Sequence, residues 1–223
     1  VGKLVEFNFS RDLDYHTQIN NKYVPYQACC PTSLAMASYQ AGLDITLSNG
    51  MELDDELMQL AMTKGKGYQV DLAPWSVGVY EPYEVHIVMQ YIMNDFFMDK
   101  VDVFSATLSI SDLVYYLVKG CGIAISGSFD YSNGMTLSHV VSLAGFTSYQ
   151  EDVLKIEGPE DVNYLQVRDF IIDDPFGDYR TKYVYRTGNN IKVPFIDFLN
   201  TFKKHGDQNN KWGHVVSRNM WRR

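Results

Sequence analysis

Residues Gln27–Met36 read "QACCPTSLAM", and how that stretch folds decides how the rest of the chain is read. Proline fits an α-helix only in the first turn, where its missing N–H would have had no partner anyway. Pro31 therefore sets the register: a helix is expected from about Cys29 to Ala41, closed by Gly42. Cys29 and Cys30 then lie at its N-terminus, with Leu34, Ala35, Ser38 and Ala41 as a small or apolar stripe behind them. A thiol at a helix N-terminus is biased toward thiolate, because free backbone N–H groups and the helix dipole stabilise negative charge there. Core packing, metal ligation, redox exchange and nucleophilic attack are the possible uses of such a pair.

Working outward, periodic apolar spacing predicts three more helices in the first half. One spans Leu53–Met62, with Asp54, Asp55 and Glu56 well placed in its first turn. Another spans Pro82–Phe97, with Val85, Val88, Met89, Ile92 and Phe96 on one face. Ser109 and Asp112 have capping-box spacing ahead of Leu113, Tyr116 and Leu117. Between the first two of these, "KGKGYQVDLAPWSVGVYEP" reads as loops able to line a cleft. It is not a phosphate loop, since the Walker spacing is missing.

After Lys119 the pattern changes. "CGIAISGSF", "SHVVSLAGF", "LQVRDFIIDDP" and "YRTKYVYRTG" are short β-branched and aromatic runs between polar breaks, expected as mostly antiparallel strands. The tail adds a helix at Val193–Lys204 and a closing strand at "HVVSR". Helices first and strands later predict an α+β fold, a single domain over 1–223. Within it, 1–119 would be a mainly helical lobe carrying the cysteine helix, packed against a mainly β lobe over 120–223.

Bulk composition narrows the function. At 46% apolar and 21% charged, the chain is ordinary globular material. A formal charge of -8 lacks the basic footprint of a nucleic-acid binder. It equally disfavours an anionic membrane or wall polymer, although "NMWRR" could form a local basic patch. No apolar run is long enough for a membrane span, and "VGKLVEFNFSRDLD" lacks a signal-peptide layout. Adjacent Cys29 and Cys30 lack the C-x2-C spacing of common zinc and thioredoxin-type sites, and their diverging side chains are poorly placed to bridge. Cys121 reads as a small buried residue at a strand start.

Nucleophilic use of a cysteine needs an imidazole beside it and a carboxylate to orient that imidazole. The second half supplies both at strand ends. His139 opens "HVVSLAGF", and Asp173 and Asp174 close "VRDFIIDDP". An oxyanion would also need a side-chain donor, which a glutamine or asparagine upstream of the cysteine could provide. Each residue has a plainer reading too: a cysteine as core, a strand-edge histidine, an "IDDPFG" turn.

"CCPTSLAMA" resembles the C-G-P-T-S-x-A-M or C-N-x-T-S-x-A-M signature of C39-like, papain-fold cysteine peptidases. "TQINNKYVPYQACCPTSLAM" is similar to the phage-associated branch of that family. The resemblance implies Cys29 as nucleophile, Gln18 at the oxyanion position and Asn21 as the asparagine that follows it. "LSHVVSLAGF" resembles G-H-x-V-V-x-x-G-Y and implies His139 as general base. "IIDDPFGDY" resembles x-N-D-P-x-G and implies Asp174, rather than Asp173, as the orienting acid. Cys30 stands where Gly or Asn is usual, and Ser138 where Gly usually precedes the histidine. The long gap to Cys29 leaves Gln27 as a rival to Gln18, although two residues before the cysteine its side chain should point elsewhere.

These features lead to an expected cysteine hydrolase that cuts an amide bond and needs neither metal nor organic cofactor. The phage-like signature points to a bacterial peptidoglycan stem or cross-bridge as substrate. It also suggests other virion proteins as partners, and a site of action in the host cytoplasm, in the virion or at the cell wall. A maturation protease, an acyl transferase and an inactive virion component are the alternatives. Cys30 is expected to fill space under the helix start, and Ser33 and Thr32 to bond back to their own helix. His16 is expected on a loop surface, while His86, His205 and His214 have no partner that sequence identifies. Trp75, Tyr80 and Tyr83 are candidates for substrate contact or for lobe-interface packing.

Overall fold

The computed structural model describes residues 2–10, 15–47, 50–64, 82–131, 133–203 and 210–220. Trp75, Tyr80, His205, most of the "KGKG" loop and the end of "NMWRR" lie outside them. Among the described residues, one antiparallel sheet organises the chain. Its strands are β1 (Val5–Asn8), β2 (Asp102–Leu108), β3 (Gly122–Asp130), β4 (Thr136–Ser148), β5 (Val167–Asp173), β6 (Ile191–Pro194) and β7 (Lys211–Val216). Their order is β2-β7-β3-β4-β5-β6, with β1 added to β4. The helices are α1 (Cys29–Gln40), α2 (Leu53–Lys64), α3 (Pro82–Phe96), α4 (Ile110–Val118) and α5 (Phe195–Thr201).

Alternation along the central strands loads both faces of the sheet. Ala124, Val140 and Val216 point to one face, where they meet Leu34 and Ala35 of α1, Leu53 and Leu57 of α2, and Val88, Met89 and Ile92 of α3. Ile123, Ile125, Val141, Leu143 and Val215 point to the other, packing on Leu113, Val114 and Leu117 of α4 and Phe198 of α5. The helices from the first 119 residues thus cover both faces, and that same stretch contributes β1 and β2.

Helix α1 is the central piece. Cys30 through Ser38 are all buried, because α1 is enclosed by the sheet, α2 and α3. Gly122 permits this depth: a Cβ there would overlap the backbone of Ala37. Gly42 adopts φ +65° just past the helix, the left-handed closure its sequence position implies. In α4, Ser109 accepts from the Asp112 N–H while the Asp112 carboxylate accepts from the Ser109 N–H, the reciprocal capping box.

Two local expectations are corrected. "YRTKYVYRTG" is not a strand. A 3-10 turn runs Tyr179–Thr181, and Lys182 and Tyr183 have φ of 52° and 64°. Asp178 decides this by accepting the Arg180 N–H at 3.0 Å and pairing its guanidinium at 2.8 Å, a turn that local chemistry favours over β-propensity. The edge strand is instead β6, a few residues on. Ser33 and Thr32 do not bond back to their helix. Ser33 Oγ donates to the Val140 carbonyl at 2.9 Å and Thr32 Oγ1 to Asp54 at 3.2 Å, so both tie α1 to its neighbours.

Candidate active site

The start of α1 faces the middle of the sheet. Cys29 is partly exposed at the first turn, and His139 is buried on β4. The Ser33–Val140 bond fastens the helix to the residue after that histidine. Strands β4 and β5 are neighbours, with Ser142 opposite Asp173, so the chain leaving β5 carries Asp174 back toward His139. His139 Nε2 donates to Asp174 Oδ1 at 2.7 Å, which leaves Nδ1 for the Cys29 thiol. Asp174 Oδ1 also accepts the Phe176 N–H at 2.9 Å, fixing the carboxylate plane. Asp173 points elsewhere and accepts the Asn190 N–H at 2.7 Å.

The electrostatics of the group follow from these contacts. Burial pushes the Cys29 thiol up, but His139 and the backbone N–H groups of Val140 and Cys30 outweigh it and leave the thiol below its ordinary range. Burial alone would make His139 a weaker base. The Asp174 charge and hydrogen bond, with Cys29 on the other side, instead raise it to about 10. Both shifts run toward a thiolate–imidazolium pair, in which each charge stabilises the other.

Aromatic rings that the sequence reading passed over surround the imidazole. Phe129 meets His139 edge-on at 5.2 Å, Tyr183 at 6.0 Å and Phe176 at 6.4 Å, with Arg186 over the Phe176 ring at 4.3 Å. Tyr131 stacks on Tyr183 at 4.5 Å; burial and the nearby Cys29 and Asp174 charges keep its phenol un-ionised. The signal for these residues lay in their spacing from His139 and Asp174, which only paired strands convert into proximity.

Gln18 is buried in a single 3-10 turn, and its backbone N–H donates to the Pro175 carbonyl at 2.9 Å, beside Asp174. Its Nε2 donates to the Pro25 carbonyl at 2.8 Å, and Oε1 has no partner among the described residues. Asn21 organises the segment into Cys29: its Oδ1 accepts from Tyr23 and Val24, and its Nδ2 reaches Asp54. His16 stacks on Tyr39 at 5.3 Å and faces Glu52 at 3.7 Å, largely shielded rather than on an open loop. Tyr83 packs edge-on against Phe104 and Trp212.

The Peptidase_C39 like family matches residues 10–209. The chain belongs to that family. Membership supports a cysteine peptidase, and the α+β architecture, a cysteine helix packed on an antiparallel sheet, is the papain-like fold. No curated protein matches the chain. Among the described residues no helix is long and apolar enough to cross a membrane.

Proposed function

We propose that this family member hydrolyses a peptide or amide bond through Cys29, His139 and Asp174, with Gln18 helping to hold the oxyanion. One observation carries the reading: a buried imidazole bridges a partly exposed helix-start thiol and a buried carboxylate, bonded to the latter at 2.7 Å. The Cys29 thiolate attacks the carbonyl carbon and the C=O electrons move onto oxygen. That oxyanion is met by the Cys29 backbone N–H and by the Gln18 Nε2 hydrogen not committed to Pro25. Collapse expels the amine, which takes its proton from His139, and leaves a thioester. His139 then accepts a proton from water as the water oxygen attacks the thioester, and collapse releases the acid and restores the Cys29 thiolate beside protonated His139. Asp174 holds the imidazole with Nδ1 toward sulfur throughout.

The substrate we favour is a bacterial wall peptide, either a peptidoglycan stem or a cross-bridge. Its support is the "QINN…CCPTSLAM" stretch, in which Gln18, Asn21 and Cys29 form one connected segment beside Asp174. Purified sacculi of several Gram types are incubated with wild type and Cys29→Ala, and soluble products are read by mass spectrometry. Free amino termini released by wild type alone are expected. Cleavage of a protein at one defined site, with every wall untouched, would replace this substrate with a maturation protease's. Inertness toward both, in a folded protein whose Cys29 is labelled by limiting iodoacetamide, would favour a virion component.

A further inference from the structure

A second group of ligating side chains lies behind the first, and the thiol mechanism uses none of it. Cys30 on α1, His86 on α3 and His214 on β7 are buried, with donor atoms all within 4.8 Å of one another. His86 Nδ1 lies 3.0 Å from His214 Nε2. His214 Nδ1 donates to Asp102 Oδ2 at 2.7 Å, and Asp102, on β2, is itself fully buried. Phe104 stacks face to face on His86 at 4.7 Å, and Trp212 meets its edge at 5.9 Å.

We infer that Cys30, His86 and His214 bind a zinc-class divalent cation that pins the start of α1 to α3 and the sheet. Three features support a metal over a hydrogen-bonded core cluster. The donors are one sulfur and two imidazole nitrogens, the set that borderline-soft ions prefer. His214 turns Nε2 to the group because its other nitrogen is held by a carboxylate, the outer-sphere arrangement that fixes a metal-binding tautomer. The remaining oxygen of Asp102, Oδ1, accepts no hydrogen bond among the described residues, an expensive feature for a fully buried carboxylate unless charge nearby offsets it. A dication balances one thiolate and one carboxylate. Tetrahedral bonds of about 2.0–2.3 Å place donors roughly 3.3–3.7 Å apart, so closing the group needs side-chain shifts of about an ångström.

On binding, the Cys30 thiol proton leaves to solvent. His86 carries its hydrogen on Nε2, so that Nδ1, which faces His214, presents a lone pair. The fourth position is left for water or another donor. The Cys29–His139–Asp174 chemistry is untouched by this assignment, since Cys29 faces β4 while its neighbour faces α3 and β7.

The test is cobalt binding by the full chain after removal of metal with a chelator. One equivalent of Co²⁺ is expected to give tetrahedral d–d bands and a thiolate-to-cobalt charge-transfer band, and zinc to displace it. Cys29→Ala should keep both bands, although by the reading above it cannot hydrolyse. Cys30→Ser should lose the thiolate band, and Asp102→Asn should weaken zinc about 10- to 100-fold. If Cys30→Ser does not fold, Cys30→Ala takes its place, and the Asp102→Asn affinity stands as an independent measure. Folded wild type that takes up no Co²⁺ or Zn²⁺ overturns the site. So does a thiolate band that follows Cys29 instead of Cys30. Because the readout is absorption, loss of this site and failure of the proposed hydrolysis remain separate results.

Discussion

At the residue scale, Asp173 and Asp174 differ more than their adjacency suggests. Asp174 holds the imidazole at 2.7 Å, while Asp173 closes a bond to the Asn190 backbone. Asp174→Asn should cut kcat by up to about 10⁴-fold with folding retained, since an amide cannot favour the charged imidazole as a carboxylate does. Asp173→Asn should change kcat only a few-fold; equal losses from the two would defeat the assignment. The same contact sets a pH dependence. The proposed mechanism needs His139 protonated, and that proton is held until about 10. Activity should therefore fall with rising pH only near 10, far above the ordinary imidazole value of about 6.5. In Asp174→Asn that alkaline limb should move down toward neutrality, read from kcat/KM across the pH range.

At the element scale, α1 can hold Cys29 firmly because Cys30 through Ser38 behind it are all buried. Its depth depends on Gly122, where a side chain would collide with Ala37 backbone that cannot swing aside. Gly122→Ala should lower stability by about 1–3 kcal/mol, the usual cost of overpacking, measured by denaturant midpoint at unchanged m-value. An unchanged midpoint would mean α1 sits further from β3 than described. The strong periodic helices and the Ser109 capping box were legible from spacing alone, since local hydrogen bonds and one apolar face determine them. Strands β1 and β2 were not. "VEFN" is too short to carry a pattern, and the Ser105–Leu108 stretch of β2 contains a register irregularity. Both are strands because β4 and β7 offered open edges.

At the scale of the whole molecule, the site is closed by a strap from the N-terminal region. Tyr15 Oη donates to the Asp174 carbonyl at 3.1 Å and accepts the Gly188 N–H at 2.9 Å, while Thr17 and Gln18 both bond Pro175. Tyr15 thus ties the N-terminal segment to the backbone at Asp174 and Gly188. Tyr15→Phe, which keeps the ring and removes both bonds, should cost about 1–3 kcal/mol in stability. It should also lower kcat more than it raises KM, as expected if it positions Asp174 without touching substrate. Unaltered kcat in a destabilised variant would leave the strap a purely structural role.

By itself the sequence determined the register of α1, through Pro31, and with it the placing of Cys29 and Cys30 at a helix start. It also determined the antiparallel runs that bear His139 and end at Asp173, because alternation and breakers are local properties. What only the tertiary structure decided is which partners each cysteine meets. Cys30, His86, Asp102 and His214 come from α1, α3, β2 and β7, so no spacing rule joins them, and the adjacent-cysteine pattern argued against a metal. One residue of rotation about a helix separates the two thiols. Packing against β4 on one side and against α3 and β7 on the other gives them different surroundings.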